Sequence, residues 1–256
     1  MARALFQAAP AFRKSPCPLR WKASTKPHLR DAGISAVYVT PHTWACQWAM
    51  SRGYTVKETG TGILLTPFTY DAALENVSAA DSAEQIVLVS YQSGSSAVLS
   101  VHEKQQSFWR QLWETPAAVG RNGIHKTREG DGRTPTGTFH LTMPFGILPD
   151  PGTNMPYLQV TSRHTWCDDS ASPYYNQLVD VSVTGSVKGE HLIDYVGYYN
   201  YCMFIDYNAE GIPGKGSCIF LHCMRNTSTA GCVAIAQDRM ADILRWALAG
   251  VQIVIR

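Results

Sequence analysis

The 256-residue chain has little charge for its size: 16% of its residues are charged and the formal net charge is +2. So nearly neutral a surface lacks the basic field that non-specific nucleic-acid binding needs. Apolar runs of about 18 residues are missing too, so no bilayer-spanning helix and no stable membrane insertion is expected. No C-x-x-C pair occurs among the seven cysteines, which argues against a zinc ribbon or a thioredoxin-type redox motif. Internal repeats and low-complexity tracts are absent. What is present is an apolar fraction of 45% with 11% aromatics, enough to stock a globular core. The length suits one large domain, or an ordinary domain with a smaller appendage.

Charge is unevenly placed. Residues 1–30 hold seven basic side chains and no acidic one, with four prolines, and read as a basic arm. No signal peptide is read there. Gln7 and Pro10 interrupt the apolar stretch Ala4–Phe12, and Arg13-Lys14 follows it rather than preceding it. Further on, Ile34–Val39 and Ile63–Leu65 suit strands, Trp44–Met50 a helical turn, and Asp71–Ser82 a linker. Residues 1–80 are therefore taken as an N-terminal region with its linker, and 81–256 as the main domain.

From residue 81 the pattern is one of short β-rich runs: Ile86–Tyr91, Ala97–Glu103, Ser107–Trp113, Gly137–Thr142, Leu178–Val183, Met203–Tyr207, Cys218–His222 and Val251–Ile255. Gln92–Ser96 between the first two is a hairpin signal, and Gly/Pro/Asn/Asp clusters separate the others. This predicts a mainly β domain, a mixed sandwich or barrel. One helix is expected near the C-terminus, where Met240, Ile243, Leu244, Ala247 and Leu248 fall at helical spacing before Gly250.

The stretch Ser217–Ala236 carries the chemistry. An apolar run ends at His222, a loop of small polar residues follows, and Thr229-Ala230-Gly231-Cys232 opens a second apolar run. If the two runs are neighbouring strands, the loop brings His222 beside Cys232. An imidazole next to a thiol favours the thiolate, the form in which cysteine attacks. Amides of Gly231 and Cys232 would then face a developing oxyanion. The same spacing also fits a buried cysteine and a satisfied core histidine.

Residues 83–256 resemble the L,D-transpeptidase (YkuD-type) catalytic domain. The resemblance rests on the two opening strands, on Val119–Gly123 leading through Lys126 and Glu129–Gly132 to Arg133-Thr134-Pro135-Thr136-Gly137-Thr138-Phe139, and on His222…Gly231-Cys232 followed by a short helix. The family ends in Ser/Thr-His-Gly-Cys; here Ala230 replaces the second histidine and the spacer after His222 is shorter. The chain thus looks like a divergent Thr-Ala-Gly-Cys branch. The resemblance implies Cys232 as nucleophile, His222 as general base, and Gly231, Thr229 and Ala230 shaping the oxyanion and substrate-binding part of the site. It further implies acyl transfer on peptidoglycan stem peptides without metal or organic cofactor. D-Alanine would be released, a thioester formed and an amine acceptor attached, in cell-wall organisation and cell shape and hence outside the cytoplasm, in periplasm or wall. A carbapenem-type β-lactam would acylate Cys232.

Other functions stay open on the sequence. Water in place of the amine gives an L,D-carboxypeptidase or endopeptidase. A catalytically silent wall-binding protein would tolerate the loss of the second histidine. A metal module on Cys218, Cys223, Cys232 and His222 fits no common zinc spacing. Glu129-Gly130-Asp131-Gly132 reads as a solvated turn, Arg121 and Arg133 as surface charge or carboxylate partners, and His191 as structural. Trp166–Asp169 with Tyr174 and Tyr175 resembles a family segment near the cleft, and core packing explains it equally well.

Overall fold

The computed structural model describes residues 37–39, 54–59, 62–67, 74, 77–105 and 108–256. The chain divides into two compact units, 1–72 with 105–110, and 73–104 with 111–256. In the first, β1 (Val37–Val39), β2 (Tyr54–Thr59) and β3 (Gly62–Pro67) form an antiparallel sheet in the order β1-β3-β2. The basic arm at 1–30 and the helical turn expected at Trp44–Met50 lie outside the described residues.

The second unit is mainly β. Its strands, apart from residue 105 of β5 and residues 108–110 of β6, are β4 (Gln85–Ser93), β5 (Ser96–Gln105), β6 (Phe108–Ala118), β7 (Gly137–Gly146), β8 (Leu158–Gln159), β9 (His164–Cys167), β10 (Leu178–Asp180), β11 (Gly189–His191), β12 (Cys202–Ile205), β13 (Phe220–Cys223), β14 (Val233–Ile235) and β15 (Gln252–Ile255). One sheet runs β12-β13-β14-β6-β5-β4-β15-β7-β8, and β7 also pairs with β12, which closes it into a barrel. Closure removes the unpaired edges of an open sheet. At the closing seam Phe204 faces Thr142 and Met203 faces Pro144, so Met143 is the extra residue of a bulge, with φ of +45°.

Apolar side chains alternate into the barrel: Val87, Val89, Leu99, Val101, Leu141, Ile205, Leu221, Val233 and Ile253 belong to one buried cluster. The helix α2 (Gln237–Trp246) adds Met240, Ile243 and Leu244 to it, the stripe expected from their spacing. A short helix not foreseen, α1 (Val181–Thr184), follows β10 where the strand was expected to continue. The Asp180 carboxylate accepts from the Ser182 amide and caps that turn.

Outside the barrel, β10, β9 and β11 form a small antiparallel sheet in that order. A second buried cluster is aromatic: Phe145, Trp166, Tyr199, Phe204 and Phe220 pack with Leu192, Cys202 and Cys232. Trp166 and Phe220 meet edge to face at 4.8 Å. Cys232 therefore rests on an apolar floor. No helix among the described residues is long and apolar enough to cross a membrane.

Candidate active site

β13 and β14 are parallel neighbours, with Leu221 opposite Val233 and His222 opposite Ala234. The loop between them is held by the strand end after β6: the Thr229 amide donates to the Val119 carbonyl and the Arg121 amide to that of Thr229, both at 2.9 Å. This closure puts Cys232 next to Phe220, whose amide donates to the Cys232 sulfur (3.3 Å). The thiol in turn donates to the Cys218 carbonyl (3.1 Å).

His222 and Cys232 both line one cleft of about 550 Å³, and their exposures are only 6% and 8%. The His222 Nδ1–H donates to the Cys223 carbonyl at 3.0 Å, which fixes the tautomer and leaves Nε2 able to accept a proton. Burial pushes its pKa down to about 4, against the smaller upward pull of that carbonyl. Burial also pushes the Cys232 thiol up to about 12, with the negative charge of Glu190 adding to it; the Phe220 amide and Lys126 pull weakly the other way. Both groups are thus neutral at pH 7. The expected thiolate–imidazolium pair is not the resting state, and no hydrogen bond among the described residues joins the two side chains.

The remaining predicted residues have specific places. Gly231 has φ of +156°, and a Cβ there would lie 3.0 Å from the Arg133 carbonyl oxygen, so glycine is required. Its amide donates to Thr229 Oγ1 (3.1 Å) rather than facing the cleft as an open oxyanion donor. The Thr229 hydroxyl donates to the Cys232 carbonyl at 2.7 Å, and the Thr134 hydroxyl does so at 3.1 Å. Thr229, Thr134 and Gly231 therefore fix the backbone of Cys232. Ala230 is exposed at the cleft's rim. Of the two arginines, Arg121 lines the cleft, whereas Arg133 donates to the Ile124 carbonyl (2.9 Å) and serves the loop.

Asp131 is not part of a solvated turn. It pairs with Lys126 at 3.0 Å, the side chains 7% and 2% exposed, and accepts from the amides of Thr127, Arg128 and Arg133. Burial alone would raise its pKa, yet these donors together hold it at about 2. Asp131→Ala leaves Lys126 buried and unpaired, so a loss of about 3 kcal/mol is expected. The urea midpoint should fall at unchanged slope; an unchanged midpoint would show that the pair contributes nothing.

Three carboxylates in the cleft escaped the sequence reading as site residues. Glu190, on β11, accepts from the Tyr199 hydroxyl at 2.5 Å, and burial raises its pKa to about 7. Tyr199 sets its ring edge-on against His222 at 5.6 Å. Asp168, just after β9, has a buried Oδ1 without a hydrogen-bond partner. Glu129 accepts from Tyr175 and Ser217. Glu129 and Asp168 fall in segments that the resemblance covers, but no motif flags Glu190; only the pairing of β11 with β9 brings it near Asp168. Trp166 and Tyr175 belong to the core, as the packing alternative required. Among the described residues, no three His, Cys, Asp or Glu side chains form a group that could hold a metal ion.

The profile of the YkuD family, the L,D-transpeptidase catalytic domain, matches residues 84–255. No curated protein matches the sequence. Among solved structures, the chain is similar to the helical cell shape determining protein Pgp2 from Campylobacter jejuni, at 16% identity and TM-score 0.39, covering 67% of this chain and 47% of that one. It is similar to Bd1075 of Bdellovibrio bacteriovorus at 18% and 0.37, covering 68% and 48%. For L,D-transpeptidase 1 of Mycobacterium tuberculosis the values are 14% and 0.34, covering 88% and 89%. The chain spans about half the length of the first two.

Proposed function

Given that the chain belongs to the L,D-transpeptidase catalytic domain family, we propose that it transfers acyl groups between peptidoglycan stem peptides through a thioester on Cys232, as a Thr-Ala-Gly-Cys branch of that family. The observation that carries this reading is a thiol and an anchored, neutral imidazole lining one cleft.

With both groups neutral, the proton moves during attack. As the Cys232 sulfur bonds to the carbonyl ahead of a terminal D-alanine, His222 Nε2 takes the thiol proton. The Gly231 amide is already engaged by Thr229, so the Cys232 amide is the donor left for the oxyanion. His222 returns the proton to the leaving amine, D-alanine departs, and the thioester remains. An acceptor amine then attacks, gives its proton to His222, and releases the thiol. No metal or organic cofactor takes part. Hydrogen bonds between catalytic groups are often long before substrate binds, which accommodates the unbonded resting pair. Because peptidoglycan lies outside the cytoplasm, this reading places the protein in periplasm or wall.

The raised thiol pKa is equally what a silent wall-binding protein would show, so turnover decides. Incubation with a tetrapeptide stem and an amine acceptor should yield D-alanine and the amide-linked product. Tripeptide acid alone would make the protein a hydrolase, and unchanged peptide would make it silent.

A further inference from the structure

His222 is only 6% exposed although it lines a cleft of about 550 Å³. A base beside that much open space is ordinarily wet, so something covers it. Two tyrosine rings lie against the imidazole: Tyr198 at 6.3 Å, tilted by 58°, and Tyr199 edge-on at 5.6 Å. Tyr199 belongs to the aromatic core and stacks on Tyr195 at 4.7 Å. Tyr198 is half-buried and lines the cleft.

Tyr198 is held at both ends. The Cys223 amide donates to its carbonyl at 3.0 Å, and the Asn226 side-chain amide donates to its hydroxyl at 2.8 Å. Arg225 lies over the preceding residue, where a Cβ on Gly197 would meet its Cδ and Nε at 3.1 Å. Residues 223, 225 and 226 directly follow His222, so the chain that carries the base also supplies the clasp. A tyrosine whose hydroxyl is satisfied offers an apolar ring face to what it covers.

The charged groups lining the cleft are Arg121, Lys126, Glu129, Asp168, Glu190 and Arg225. None of them causes the low His222 pKa of about 4; burial does, against the Cys223 carbonyl. The titratable groups around the ring are Tyr198, Tyr199, Cys223, Cys232 and, opposite it on β12, Cys202. Burial keeps the three thiols and Tyr199 protonated. Exclusion of water therefore sets the charge state of this base.

We propose that Tyr198, clasped by Asn226, is a positioning residue that covers His222 and keeps water from it, so that the imidazole meets the thiol in its neutral, proton-accepting form. The cover stands on packing; its value for acylation rests on the acyl-transfer reading above. Without the ring, water would solvate the imidazolium, and the base would be lost in mild acid where wild type retains it.

Titration of the His222 ring protons by NMR tests this without substrate. In wild type the midpoint should lie near 4, leaving the imidazole neutral at about pH 5. Tyr198→Ala should raise it by at least about one pH unit, towards the value of a solvated imidazole. Tyr198→Phe keeps the ring and should raise it by less than half as much. With an uncharged donor, the acid limb of acylation should move with the midpoint in Tyr198→Ala. A wild-type midpoint of about 6 or above, which needs no variant, overturns the proposal. So does a midpoint that Tyr198→Ala leaves in place, or that Tyr198→Phe raises as far. If the midpoint moves as expected while wild type turns over no donor, the acyl-transfer reading fails and the cover stands. If wild type turns over donor and the midpoint stays in place, the cover fails and the acyl-transfer reading stands.

Discussion

Cys232→Ala should abolish acyl transfer, with turnover of a tetrapeptide donor falling by at least about 10³-fold, because the thioester cannot form. The fold should survive. The Phe220 amide and Cys218 carbonyl each lose one partner, a destabilisation of about 1–2 kcal/mol. Cys232→Ser separates the two effects: it keeps a hydroxyl for both contacts, yet its oxygen is a far weaker nucleophile at the same site. It should therefore be stable and inactive. Turnover that persists in Cys232→Ala would assign the chemistry to another thiol, and Cys218 lines the same cleft.

His222→Gln should slow acylation by about 10²–10⁴-fold at pH 7. The pH dependence is more telling than the size. In wild type the imidazole is neutral down to about pH 4, so acylation by an uncharged donor should be nearly flat from pH 6 to 9 and fail only in acid. Without it, only the scarce thiolate reacts, and with a thiol pKa near 12 the rate should climb about tenfold per pH unit over that range. A variant rate as flat as wild type would mean that some other base serves Cys232.

The same pKa predicts a stability signature. The folded His222 value lies below the ordinary value of 6.5, so above pH 6.5 both states are neutral and nothing is lost. As pH falls from 6.5 towards 4, the unfolded chain takes up the proton first, and about 3 kcal/mol of stability is lost. Glu190, raised to about 7, slopes the opposite way, weakening the fold as pH rises from 4.5 to 7. The His222 contribution is therefore read as the difference between wild type and His222→Gln across pH 4–7.

Much of the fold was legible because alternation and turn residues are local signals. β4 and β5 fell where Ile86–Tyr91 and Ala97–Glu103 suggested, and α2 where Met240, Ile243 and Leu244 kept helical spacing. Non-local features were not. Barrel closure depends on β7 meeting β12 across a bulge at Met143, and nothing near either strand announces the partner. The end of β10 was overrun because Asp180 works as a cap there, while the valines alternating at 179, 181 and 183 look like strand.

The candidate site divides along the same line. His222 and Cys232 are close in sequence, so a single loop closure unites them. Glu190 and Tyr199 reach the cleft from other elements and carry no motif. Asp131 was read as solvated because glycines flank it, yet its burial follows from the ion pair with Lys126. Protonation was the least visible property. Proximity suggested a thiolate, whereas the aromatic floor and Glu190 decide for the thiol.

Incubation of the intact protein with a carbapenem, followed by peptide mapping, goes to the heart of the account. The prediction is a gain of one carbapenem mass located on the peptide containing Cys232. An unchanged mass, or an adduct on Cys218 with Cys232 unmodified, would contradict it.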